Sequence, residues 1–83
     1  MEKKIGKVVH YFDKAMVAVV GLTGKLSVGD AVKFSHGGKE FNQKINSMQV
    51  EHKPVKSGKA GEEVAIKTDE ATHEHAEVYK IEE

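Results

Sequence analysis

The 83-residue sequence predicts an all-β fold, a small closed antiparallel β-barrel of about six strands occupying residues 1–83 as a single domain. Two observations lead to this class. Val17-Ala18-Val19-Val20-Gly21-Leu22 is an apolar, largely β-branched run of strand length. Glycine-bearing turn signals then recur between short stretches of strand character, which is the pattern of small all-β barrels and sandwiches.

The first strand is expected over Lys4 to Phe12. Both of its alternating faces carry apolar residues, so its inward phase stays open. Asp13-Lys14 suits a tight hairpin turn. Met16 to Leu22 is the second strand, and its near-continuous apolar character implies cover on both faces. Leu26-Ser27-Val28-Gly29-Asp30 reads as a corner, with Leu26 and Val28 inward by alternation and Gly29 at positive φ. Ala31 to Ser35 is the third strand, and Gly37-Gly38 is a two-residue hairpin signal. Glu40 to His52 is read as one long strand. Phe41 and Ile45 fall on one phase and Met48 and Val50 on the other, so a β-bulge is expected near Asn46-Ser47. Residues 54–61 read as a loop, Glu63 to Lys67 as the fifth strand and Val78 to Ile81 as a short closing strand. The polar segment Thr68 to Glu77 is expected to be irregular and the most mobile internal region. Val8, Val20, Leu22, Leu26, Val28, Val32, Phe34, Ile45, Met48, Val64 and Ile66 are the expected core.

Composition narrows the chemistry. Cysteine is absent, which removes disulfides, thiolate metal sites and cysteine nucleophiles. Small extracellular domains usually need such staples, so a cytoplasmic setting is expected. The N-terminal residues lack the apolar core of a signal peptide, and no apolar run approaches the roughly 20 residues that span a bilayer. Formal charge sums to zero but is unevenly spread. Residues 1–59 carry eleven lysines against five acidic residues, whereas 60–83 carry two against eight. Every basic residue is lysine, which disfavours the bidentate phosphate and guanine contacts typical of arginine.

Gly6-Lys7-Val8-Val9, the apolar second strand, Leu26-Ser27-Val28-Gly29-Asp30-Ala31-Val32-Lys33-Phe34, Ile45-Asn46-Ser47-Met48 and Lys59-Ala60-Gly61-Glu62-Glu63-Val64-Ala65-Ile66 occur in an order that resembles a known family. The chain looks like the second domain of translational GTPases, the Greek-key β-barrel that follows the nucleotide-binding domain in elongation factor Tu. It is also similar to barrels appended to other enzymes, including collagenase-like peptidases. No G-x-x-x-x-G-K-[ST] phosphate loop is present, so a stand-alone member without the GTPase domain is implied. The resemblance implies contacts with RNA or the ribosome, and the matched turn and core residues speak to fold more than to function.

Individual sites yield little chemistry. His73 and His75 could share a strand face, but two imidazoles fall short of the three or four ligands of a zinc site. Gly37-Gly38 and Gly58 to Gly61 read as turns rather than phosphate cradles, since no helix follows them. Neither catalytic residues, nor a metal, nor a cofactor is expected. His52, Lys53, Lys56 and Lys59 form the candidate RNA- or partner-binding surface. The expected function is a non-enzymatic binding module contacting RNA or the ribosome. The alternative is a protein–protein interaction module whose partner supplies any catalysis.

Overall fold

The computed structural model describes residues 2–51 and 53–81. These residues form an all-β domain with antiparallel pairing throughout. Its strands are β1 (Glu2–Phe12), β2 (Val17–Leu22), β3 (Leu26–Ser27), β4 (Ala31–His36), β5 (Lys39–Lys44), β6 (Met48–Val50), β7 (Lys53–Val55), β8 (Ser57–Gly58), β9 (Glu63–Lys67) and β10 (Glu77–Ile81). Eight of them make one sheet in the order β5-β4-β10-β1-β2-β9-β6-β7, while β3 and β8 pair separately.

The expected closed barrel does not form as a continuous ladder. Among the described residues, the sheet ends at β5 and β7, and no backbone pairing joins them. The sheet nevertheless folds over itself, because side chains from β1, β2, β4, β6, β9 and β10 share one core. One side chain links β5 directly to the far end of β9. Gln43 of β5 is 7% exposed and donates to the Lys67 carbonyl at 3.0 Å, while its own amide oxygen accepts from Asp69 N–H at 2.8 Å. β5 and the end of β9 are thus stitched by a glutamine amide.

β1 explains its own ambiguous pattern. It carries two register shifts, one between Lys4 and Gly6 against β10 and one between Val8 and His10 against β2. Each irregularity resets the inward phase. Ile5 is therefore buried beside Gly6, Val8 is buried, and Val9 and His10 both face outward. Gly6 has no room for a side chain, since a Cβ there would lie 2.7 Å from Val20 Cγ1.

The corner after β3 is a turn with Gly29 at φ +96°, as its sequence requires. Asp30 N–H donates to the Ser27 carbonyl at 3.1 Å, and Ser27 N–H donates to the Asp30 carboxylate at 2.9 Å. The turn interrupts the alternation, so Val28 stands at its tip, 40% exposed, and is not core. The other expected core residues are buried, joined by Ile5, Ala18, Ala76 and Val78.

Two further expectations change. The first hairpin uses residues 13–16 rather than two residues, and Met16 takes φ +52°. The long fourth strand is two strands, β5 and β6. The chain leaves the sheet at Ile45, whose N–H donates to the Asp30 carbonyl and whose carbonyl accepts from Gly29 N–H. The polar segment expected over Thr68 to Glu77 is irregular up to Ala76, as expected, and is anchored at several points. Thr68, Thr72 and Ala76 are buried, and backbone bonds tie His75 and Ala76 to Val8.

Candidate docking groove

The inward side of β2 is spent on the core through Ala18, Val20 and Leu22. Its outward side is also apolar. Val17 and Val19 point away from the core because side chains alternate along a strand, and both are half-buried. Ala65 of β9 lies directly across from Val19 and shares that outer face. Phe12 pairs with Val17 at the end of the β1–β2 hairpin and is 49% exposed. On β6, Gln49 lies across from Ala65 and lines the same space, while Val50, which also packs against the core, stands at its edge.

These residues line an open groove of about 830 Å³. Three carboxylates stand around it, those of Glu51, Glu62 and Glu63, and no cationic side chain lines it among the described residues. Local structure places each one. Glu51 occupies the β6–β7 hairpin tip at φ +52°, a left-handed conformation uncommon outside glycine and asparagine. Glu63 opens β9 opposite Gly21. Glu62 accepts from the backbone N–H of Lys59 at 2.9 Å, which ties its carboxylate into the turn before β9.

The sequence-derived lysine surface maps onto different ground. Lys53 lies in β7, at the sheet's edge beside Pro54. Lys56 follows on a bend, where its carbonyl accepts from Val28 N–H at 2.8 Å. Lys59 sits in the turn after β8. All three side chains are exposed, and no described hydrogen bond or ion pair links them. Lysine and proline on an edge strand also discourage strand addition by other chains. His52 lies outside the described residues.

Other polar groups serve local structure. His10 Nδ1 meets Glu74 at 3.0 Å, and the His73 ring lies 5.2 Å from that of His36, rather than sharing a strand face with His75. Gly58 is neither turn nor phosphate cradle. It pairs with Leu26, and a Cβ there would lie 2.8 Å from both Leu22 and Val64. Lys4 donates to Glu77 at 3.0 Å, as does the Tyr79 hydroxyl, and together they hold the Glu77 carboxyl below its ordinary range. Among the described residues, no group of three or more potential ligands could hold a metal ion. No helix among them is long and apolar enough to cross a membrane.

Known structures share this fold. The C-terminal domain of a putative U32 peptidase from Geobacillus thermoleovorans superposes with a TM-score of 0.89 at 19% identity, covering 96% of this chain and 93% of that one. Its selenomethionine variant gives 0.86 at 19% identity, with 92% and 96% covered. The fold is that of this peptidase domain. In sequence, the chain is 34% identical to the "Uncharacterized protease MJ0090" of Methanocaldococcus jannaschii over 96% of its own length. It spans only 20% of that relative. No family model matches the chain.

These findings replace the translation-factor resemblance, and the expected RNA or ribosome contact loses its basis with it. The misleading residues have a structural explanation. In Leu26-Ser27-Val28-Gly29-Asp30, Leu26 fills the core, Gly29 supplies the positive φ and Asp30 caps the turn. Such a segment encodes a corner, and a corner speaks to local fold rather than to function. The groove went unread for a related reason. The signal was present in the doubly apolar β2, but sequence alone does not separate a covered outer face from an open one.

Proposed function

We propose that this chain is a non-enzymatic docking module for a peptidase-type protein, with the catalytic apparatus residing in other residues of that protein or of a partner. The observation carrying this reading is the apolar groove on the outer face of β2 and β9, a second apolar surface on a sheet whose inner face already holds a complete core. Exposed apolar concavities of this kind commonly mark interaction sites. The choice of a peptidase-type partner is supported by the comparisons. The fold occurs as the C-terminal domain of a putative U32 peptidase, and the Methanocaldococcus protease has four-fifths of its length beyond the matched part.

The test is capture from a native lysate of the source organism with the purified chain as bait, run with and without ribonuclease. A peptidase-type protein, identified by mass spectrometry and retained after ribonuclease treatment, is the expected outcome. Partners lost on ribonuclease treatment, or no peptidase-type partner, would overturn the proposal.

A further inference from the structure

We infer that the groove takes an apolar side chain flanked by lysine or arginine on the surface of the peptidase body. This rests on the docking reading above and specifies its contact. The floor is apolar and rigid, because Val17, Val19 and Ala65 sit on paired strands at the centre of the sheet. Phe12 presents its ring at one end with half its surface open to solvent. An aliphatic or aromatic anchor seated here would be excluded from water at little conformational cost to the groove.

Charge sets the identity of the flanks. Among the described residues, the groove's charged side chains are all carboxylates. Glu62 is engaged with the Lys59 amide, whereas Glu51 and Glu63 have no ion-pair partner among the described residues. A partner bringing acidic groups would meet like charge, and one bringing cations would meet complementary charge. The lysine-rich β7 region carries the opposite sign, so the two surfaces select different partners.

The experiment uses covalent tethering, which supplies a high effective concentration and makes even weak docking visible. The chain replaces the matched fifth of the Methanocaldococcus protease, and amide exchange in this chimera is compared with that of the chain alone. At low salt, residues 12–17, 49–51 and 61–63 are expected to exchange at least about tenfold more slowly in the chimera, a factor that corresponds to about 1.4 kcal/mol. Protection should weaken at about 0.5 M salt, where the Debye length falls below roughly 5 Å. It should also be lost in Phe12→Ser and in the Glu51→Lys, Glu63→Lys double variant, whose side chains are exposed and lie outside the core.

The failures are distinguishable. Protection confined to residues 53–59 or elsewhere would overturn the groove while leaving docking in place. Protection lost in Phe12→Ser but insensitive to salt and to the glutamate variant would overturn the basic flank. Concentration-dependent protection of the groove in the chain alone would identify a second copy as the occupant and overturn the inference. Unchanged exchange everywhere would remove the docking reading as well.

Discussion

At the level of single residues, Leu26 and Val28 make the sharpest contrast. They are two positions apart in one motif, yet Leu26 is fully buried and Val28 stands on a turn tip. Leu26→Ala should cost about 2–5 kcal/mol, a large share of the roughly 5–15 kcal/mol that holds a domain together. Val28→Ala should stay within about 0.5 kcal/mol. Thermal melts of the two variants check this, and equal losses would contradict the turn geometry. The burial of Leu26 follows from alternation, whereas Val28 departs from it because a turn breaks the period of two. Tyr11 offers a second test. Its hydroxyl is buried without a partner among the described residues, a condition that costs about 1–3 kcal/mol. Tyr11→Phe should therefore leave the melting temperature unchanged or raise it. A drop of several degrees would show that the hydroxyl is bonded in solution.

At the level of elements, the decisive features are interruptions of strands rather than strands themselves. Most strand positions follow from apolar runs and glycine turns, and the Gly37-Gly38 hairpin forms at positive φ, as Gly-Gly predicts. The irregularities of β1 and the exit of the chain at Ile45 depend on partners distant in sequence, so no local pattern reveals them. The Gln43 bridge belongs to this class. Gln43→Leu keeps side-chain bulk but strands the Lys67 carbonyl and the Asp69 amide. A loss of about 2 kcal/mol is expected, with faster exchange at Asp69. Unchanged exchange there would show that the bridge is dispensable. The β1–β10 pairing carries a pH signature. Because Lys4, and then Tyr79, depress the Glu77 pKa, the associated stability is present above the ordinary glutamate value of 4.5 and is lost as pH falls through the folded value. The melting temperature of Glu77→Gln should therefore fall less steeply than that of the wild type between about pH 5 and about pH 3. Parallel profiles would contradict this.

For the whole molecule, the order of strands places the two ends of the described chain side by side. Glu2 pairs with Ile81, and β10 lies between β1 and β4. The last strand thus joins the β4–β5 hairpin to the rest of the sheet. Neither its central position nor this dependence can be read from Val78-Tyr79-Lys80-Ile81, which resembles any short terminal strand. Pairing β1 with β10 closes a loop of nearly the full chain length, and such non-local closure slows folding. It also makes the domain cooperative from end to end. Ending the chain after Ala76 would remove the fully buried Val78, expose the facing edges of β1 and β4, and divide the ladder in two. The truncated chain is expected to show no cooperative thermal transition by circular dichroism. A synthetic peptide spanning residues 77–83 should restore the transition when added in excess, by binding only the folded form. A cooperative melt without the peptide would mean that the β4–β5 hairpin holds to the core through side chains alone. In that event core packing of Val32 and Phe34, with the Gln43 bridge, would link the two halves of the sheet.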